Sequence, residues 1–419
     1  MGKEKASKTM KKATPAAPQL APWAPGQIVT AEKAAPVGSV KEPVRIGLIG
    51  IGGGIGPLHI SELQKNPNFR LVAGGDNRLD DPAVRPHAER LTSAGGKLYS
   101  DYRQLLADAS VEAVVIAAPH FLHREITVAA FAAGKHVLVE KPMATHPDDC
   151  RAMIQARDQA GKVGAVHMQH VGRNSMLDLR RKLNEGAIGP IREVFLSSLW
   201  WREDSYYNRA RWSGKKMFNG AWNLDGVMYN QAIHYLTQTL ILAAPGQEPA
   251  VAGVTDLQVG LYRFHATPAL EMEDAAFITG KLAAPGSPRL IAFATTCSRT
   301  ERHLIEIIGA KGRAMWNGAG YLFPDGQPVL DFPENNRDFE GVSPVYNSFA
   351  EAVRGGATPL TDFSRIARVT EFIFNVYEQA AWKIRPAPWS ATENLAQVVQ
   401  QAQRQRTLPA ALNPKPRWA

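Results

Sequence analysis

The spacing of apolar and polar positions divides this chain into stretches of different character. Residues 1–42 are rich in Ala, Pro and Lys and show no period, which predicts an arm without a packed structure of its own. Within it Leu20, Trp23 and Ile28 are the side chains able to anchor such an arm on a partner subunit. From Pro43 the pattern becomes regular. Residues 44–49, 69–74, 113–118, 136–140 and 163–166 are short apolar runs, and such runs read as buried parallel strands. Helical spacing falls between them at 57–65, 102–109, 122–133 and 147–160, with stop signals at Gly134 and Gly161. Strand and helix in alternation predict a doubly wound parallel α/β sheet over 43–166.

The second half reads differently. A helix over 174–185, a long strand over 191–201 and a helix near 226–241 precede four apolar runs at 250–264, 272–283, 289–299 and 302–309. Helical spacing returns at 344–354 and 362–382. Consecutive strands with short turns predict a largely antiparallel open sheet, so 167–385 reads as an α+β domain. Residues 386–419 form an extension with one polar helix at 391–404 between Pro-rich stretches.

Length supports two domains, since 419 residues exceed what a single core usually holds. A hydrophobic share of 45% and a charged share of 21% are ordinary for a globular enzyme. No apolar window approaches the about 20 residues of a membrane span, and the basic N-terminus lacks the apolar core of a secretory signal. Two cysteines, Cys150 and Cys297, are too few for a disulfide framework and fit a cytoplasmic protein. The net charge of +9 sits mostly in the ends, where residues 1–42 hold seven Lys against three acidic side chains. The body of the chain is close to neutral, so no basic face for nucleic acid is expected.

The string Gly50-Ile51-Gly52-Gly53-Gly54-Ile55-Gly56 follows the first strand and opens a helix. Glycines let backbone approach a pyrophosphate, and the helix N-terminus offers free N–H groups. Gly50 and Gly52 fit the GxGxxG spacing; position 55 is Ile, and the third glycine comes one residue late at Gly56. Asp76 ends the second strand, where a carboxylate binds the ribose hydroxyls of NAD. Asn77 and Arg78 follow, and Arg78 keeps NADP open.

Four further motifs resemble a known family, that of glucose–fructose oxidoreductase, inositol dehydrogenase and MocA. Gly134-Lys135-His136-Val137-Leu138-Val139-Glu140-Lys141-Pro142 resembles its GKHV-x-x-EKP signature, and Ala118-Pro119-His120-Phe121-Leu122-His123 its TPN-x-x-H turn. Asn230-Gln231-Ala232-Ile233-His234 resembles its catalytic helix, and Ile307-Ile308-Gly309-Ala310-Lys311-Gly312 its late turn. The resemblance covers about 44–385. It implies an NAD(P)-dependent oxidoreductase acting on a secondary alcohol carbon of a sugar, sugar derivative or cyclitol, and a homodimer or homotetramer. It implies a cofactor held by the glycine loop with Ile55, Asp76, Asn77, Arg78, Pro119, His120, His123, Glu140 and Lys141. Some relatives of this kind are redox glycosidases, and a cofactor-binding regulator without catalysis is a third outcome.

Oxidising a carbinol needs a base for the hydroxyl proton and a cation for the developing alkoxide. Lys141 lies at the carboxyl edge of the parallel sheet, where ligands bind, and is the candidate cation. His234 is the candidate base, and Asn230, four residues earlier, shares its helical face. The family often carries Asp at this position, Gly-Gly-Gly ahead of the helix and Asp after the His; here they are Asn230, Asn223-Leu224-Asp225-Gly226 and Thr237. Trp200, Trp201, Arg202, Tyr206, Tyr207, Arg211, Trp212 and Trp222 crowd the preceding region. Aromatic faces and guanidinium forks suit sugar rings and anionic groups, which makes Arg202, Tyr207 and Trp212 substrate candidates beside Asn230 and His234. No metal site is expected, since no cysteine lies within ligand spacing of His120 and His123.

Overall fold

The computed structural model describes residues 28–30, 39–246, 251–333 and 342–386. A first strand, β1 (Ile28–Thr30), lies apart from the N-terminal sheet. Then β2 (Val44–Ile49), α1 (Gly56–Lys65), β3 (Phe69–Gly75), α2 (Arg85–Ser93), β4 (Lys97–Tyr99), α3 (Tyr102–Ala107), β5 (Ala113–Ile116), α4 (His123–Ala132), β6 (His136–Glu140), α5 (Pro147–Ala160) and β7 (Gly164–His167) alternate. Their six strands pair in parallel in the order β4-β3-β2-β5-β6-β7. The order reverses between β2 and β5, and the crevice at such a switch point is where open α/β sheets bind ligands. Central strand β5 is buried throughout and β2 everywhere but Arg45, as the apolar runs predict. Helix α2 and strand β4 escaped the sequence pattern, because α2 is polar apart from Ala88 and Leu91 and β4 has three residues.

The second half supplies α6 (Asn174–Asn184), β8 (Ile191–Trp201), α7 (Asp204–Tyr207), the hairpin of β9 (Met217–Phe218) and β10 (Ala221–Trp222), α8 (Val227–Asn230) and α9 (Ile233–Leu242). It continues with β11 (Val254–Arg263), β12 (Ala275–Leu282), β13 (Arg289–Thr295), β14 (Cys297–Gly309), β15 (Gly312–Trp316), β16 (Gly320–Pro324), β17 (Val329–Phe332), α10 (Val342–Val353), α11 (Phe363–Gln379) and β18 (Ile384–Pro386). Ten strands form one mostly antiparallel sheet, ordered β1-β17-β16-β15-β14-β8-β13-β12-β11-β18. Strand β8 lies in its middle, parallel to β13. Both edges are filled from the ends of the described chain: β1 runs parallel to β17, with Ile28 opposite Val329, and β18 parallel to β11. Thus Ile28, a candidate anchor for a partner subunit, pairs within its own chain; Leu20, Trp23 and the helix expected at 391–404 lie outside the described residues.

Side chains alternate across this sheet with period two. On β13, Leu290, Ala292 and Ala294 join the core shared with the parallel sheet, while Ile291 and Phe293 point to the other face. The shared core contains Ile116, Val139 and Val166 from the first sheet and Leu196, Ile278 and Ile305 from the second. The opposite face of the parallel sheet is closed by α1, α2 and by α10, whose Val345, Tyr346, Phe349 and Ala350 pack against Leu48, Ile60 and Leu138. Among the described residues no helix is long and apolar enough to cross a membrane. Cys150 and Cys297 are buried and unpaired.

Candidate functional site

The glycine loop sits at the switch point. Gly50 leaves β2 with φ 93°, and a Cβ there would lie 2.5 Å from the Ala117 carbonyl oxygen. A Cβ on Gly56, the first residue of α1, would lie 2.3 Å from the Gly50 oxygen. At Gly52 it would meet Val84 at 2.3 Å. These three glycines permit close backbone approach; Gly53 has looser surroundings, with 3.4 Å to its nearest neighbour, and Gly54 has nothing within 4 Å. The loop is therefore one residue longer than GxGxxG, and Gly56 takes the packing role expected of the third glycine. Ile55 stands at the helix N-cap without a side-chain cap; the Gly56, Leu58 and His59 N–H groups are bonded to the Gly53 and Ile55 carbonyls, so the N–H groups left for a ligand are those of Gly54 and Ile55 in the loop itself.

Asp76 draws the loop to β3: its carboxylate accepts from the Gly52 N–H at 2.9 Å and the Arg78 N–H at 3.0 Å. Arg78 is exposed and leans on Asp76 at 3.5 Å and Asp81 at 3.8 Å, so its charge is held beside carboxylates rather than offered alone to a phosphate. Asn77 is exposed. On the other side of the crevice, Pro119 begins a short turn and His120 follows with a buried Nδ1 that has no partner. Burial, the neighbouring His123 and Lys141 hold His120 well below the usual imidazole range. An orphaned buried nitrogen and a cradle only glycine can form both fit a dinucleotide. His123 is placed otherwise: one ring nitrogen is 2.8 Å from the Pro142 carbonyl and the other 2.9 Å from that of Ala118. It ties two turns together beneath the crevice and has no nitrogen left for a cofactor. Glu140 likewise faces inward. Its carboxylate accepts from His59 at 3.0 Å, His167 at 2.6 Å and the Lys141 N–H at 3.0 Å, while Tyr346 closes on the other side of His59.

Lys141 crosses from the parallel sheet to the α8–α9 segment. Its Nζ donates to the Asn230 carbonyl at 3.0 Å and to Asn230 Oδ1 at 3.3 Å. A widened turn makes this contact. Ala232 N–H reaches back five residues to the Val227 carbonyl, so the helix expected over 226–241 is two pieces, α8 and α9. Such a bulge turns a carbonyl away from regular helical pairing. The Asn230 amide is fixed as well, because Nδ2 donates to Asp225 Oδ1 at 2.6 Å and Tyr206 Oη at 3.0 Å. Oδ1 must therefore face the ammonium. Asp225 in turn accepts from Arg209 at 3.0 Å and the Gly214 N–H at 2.8 Å, and Arg209 lies over the Tyr206 ring at 3.9 Å. Burial lowers the Lys141 pKa, while Glu140 and Asp225 work in the opposite direction.

His234 is buried with Nδ1 unpartnered and stacks on His170, the rings 4.4 Å apart. Burial, His170 and Lys141 push its pKa well below the usual value, so the ring is neutral and able to accept a proton. Of the substrate candidates, Trp212 lies beside the site, 5.4 Å from the His120 ring. Arg202 pairs with Glu301 at 3.0 Å and covers Trp200 and Tyr206. Tyr207 turns away: it is buried, bonded to Thr296 at 2.7 Å and packed on His265.

Sequence reasoning did not single out Asp225 as a partner of Asn230, Arg209 as a partner of Asp225, or His170 as the neighbour of His234. His170 had a signal, a polar ring just past the carboxyl end of a parallel strand; the others lie on irregular backbone with no period to read. Two groups among the described residues bring metal-ligating atoms together, His59–Glu140–His167 and His265–Asp274–Cys297. Both are hydrogen-bonded clusters, with His265 Nδ1 2.8 Å from Asp274.

Comparison with known proteins agrees with this geometry. Residues 44–170 match the GFO_IDH_MocA model, described as an oxidoreductase family with an NAD-binding Rossmann fold. The chain is 30% identical over 200 residues to a 1-carboxy-3-chloro-3,4-dihydroxycyclohexa-1,5-diene dehydrogenase of Comamonas testosteroni, covering 48% of this chain and 47% of that protein. It is 30% identical over 149 residues to a D-glucoside 3-dehydrogenase of Escherichia coli, covering 36% and 41%. The matches thus span less than two thirds of these curated relatives. The WlbA dehydrogenase of Bordetella pertussis, solved with NADH and UDP-GlcNAcA, superposes with TM-score 0.67 at 26% identity, over 81% of this chain and 97% of that one. Residues 44–170 are thus similar to the NAD-binding Rossmann domain of the GFO_IDH_MocA oxidoreductases, and the open mixed sheet follows it as in the solved WlbA dehydrogenase.

Proposed function

We propose that this chain is an NAD(P)-dependent oxidoreductase that moves a hydride to or from a secondary alcohol carbon of a sugar, sugar derivative or cyclitol. The observation that carries the reading is the contact of Lys141 with Asn230, 3.0 and 3.3 Å between an ammonium on one sheet and the bulged helix of the other. When bound, the dinucleotide supplies the hydride acceptor or donor. The glycine loop, Asp76 and His120 are the residues to hold it, and Asp76 in place of an arginine favours NAD. An ammonium has three donors. Two of those on Lys141 are spent on Asn230, so the third is aimed for a substrate oxygen and stabilises negative charge there. His234, neutral and with a free Nδ1, takes the hydroxyl proton. Asn230 cannot relay a proton; it holds the ammonium, and Asp225 holds Asn230.

Relatives named as dehydrogenases do not favour the redox-glycosidase or regulator outcomes. A screen of neutral and acidic sugars and cyclitols with NAD+ and with NADP+, followed at 340 nm, tests the reading. Reduction of NAD+ by at least one carbohydrate is expected. Failure of the purified protein to bind NADH at all overturns it. A homodimer or homotetramer is expected from light scattering, and a monomer contradicts that part.

A further inference from the structure

Beyond Lys141 and His234 the site continues as a ladder of aromatic rings. His170 stacks on His234, Tyr235 meets His170 edge-on at 5.3 Å, and His303 stacks on Tyr235 at 4.0 Å. Trp316 closes on Tyr235 at 5.8 Å. Arg173 lies on this wall, its guanidinium carbon 5.5 Å from the Trp316 ring centre. It is half-buried, and its guanidinium makes no hydrogen bond or ion pair with any described residue. The other cations of the site are spent: Arg202 on Glu301, Arg209 on Asp225, Lys141 on Asn230.

Most of the charges around the ladder are positive. The charged groups that act on His170 are Arg173, His303 and Lys141, and those that act on His303 are Arg173 and Arg202. The carboxylates that reach the ladder are already taken: Glu301, which acts on Tyr235, pairs with Arg202, and Glu140, which acts on His234, is bonded to His59 and His167. His170 adds a buried Nδ1 without a partner. A wall with an uncommitted guanidinium and an orphaned nitrogen is under-filled with acceptors.

We propose that the substrate carries an anionic group, a carboxylate or phosphate, and that Arg173 binds it at the far end of the ladder from Lys141. The proposal rests on the carbohydrate reading above and narrows it to acidic sugars or sugar phosphates. A guanidinium takes either oxyanion through paired N–H donors. The half-buried rings of His170 and His303 give the outer apolar surface along which a pyranose lies between the two cations.

Calorimetry on the NADH-loaded full chain tests it, with D-glucose, D-galactose and myo-inositol as neutral probes and D-glucuronate, D-galacturonate and D-glucose 6-phosphate as acidic ones. At least one acidic probe is expected to bind ten-fold or more tighter than its neutral counterpart. The uronate and phosphate arms tell which oxyanion is read. Arg173→Met removes that preference and leaves NADH and neutral-probe affinity unchanged, which also shows that it is folded; Arg173→Lys restores part of the preference. Equal binding of neutral and acidic probes, no binding of any acidic probe, or a preference that survives Arg173→Met overturns the proposal. Loss of NADH binding by the wild-type chain overturns instead the reading on which it rests.

Discussion

At the residue scale the site is a hand-over of charge between the edge of the parallel sheet and the bulged helix of the second half. Lys141 sits where an ammonium is poorly solvated, and its pKa is lowered for that reason first. Its function needs the proton, so the alkaline limb of kcat/KM on any turned-over carbohydrate should fall below the 10.5 of an ordinary lysine. His234 works as the neutral ring, and its lowered pKa keeps it neutral below pH 6.5 as well; the acid limb should lie beneath that value. A limb centred near 6.5 would remove His234 from the role of base. Lys141→Met should cost about 100- to 1,000-fold in kcat/KM, the usual effect of removing a donor to developing negative charge, with NADH affinity kept. Lys141 and His234 were legible from their motifs. Asp225 was visible only as a departure from the family pattern. It stands five residues before Asn230, and only the turn at Leu224, with φ 46°, brings its carboxylate onto the amide.

At the scale of elements, the parallel strands were legible because burial on both faces leaves short apolar runs with few polar positions, such as Arg45 and Arg70 near their starts. The small elements were not. Strands β9 and β10 have two residues each, and α8 has four; no periodicity test resolves elements so short. The helix written across 226–241 missed the bulge for the same reason, since one extra residue in a turn leaves composition unchanged. The glycine loop separates what composition joins. Gly54→Ala should leave NADH binding within about two-fold, as its Cβ meets open space. Gly56→Ala drives a Cβ into the Gly50 and Ile51 carbonyls at 2.3 and 2.5 Å, and should weaken NADH binding at least ten-fold and lower the melting temperature. Fluorescence titration of the pair checks this, and equal effects from both would show that the loop is not shaped by Gly56.

At the scale of the molecule, histidines dominate the response to acid. Burial lowers the pKa of His59, His120, His123, His136, His170, His234 and His303, with His136 at about 4 and His303 at about 3. A group whose folded pKa is depressed takes up protons more readily once unfolded, so stability is lost as pH falls below about 6.5. Each such ring contributes up to about 1.4 kcal/mol per pH unit in that range. Two groups oppose this. His265 is raised by its bond to Asp274 despite burial, and burial raises Glu273 to about 7; both favour the folded state at low pH and lose that effect as pH rises. Seven rings against two groups give the sign: the urea midpoint should drop between pH 7 and pH 5. An unchanged midpoint would mean the imidazoles are solvated in solution.

Helix α10 sets a condition on how this protein is made. Tyr346, Phe349 and Ala350 finish the apolar floor beneath the dinucleotide crevice, yet they follow β7 by some 180 residues of chain. A ribosome exposes the six parallel strands long before the helix that seals them has been translated. During that interval the nascent sheet shows a bare greasy stripe to chaperones and to other chains. Release from that vulnerability comes only when α10 itself has emerged.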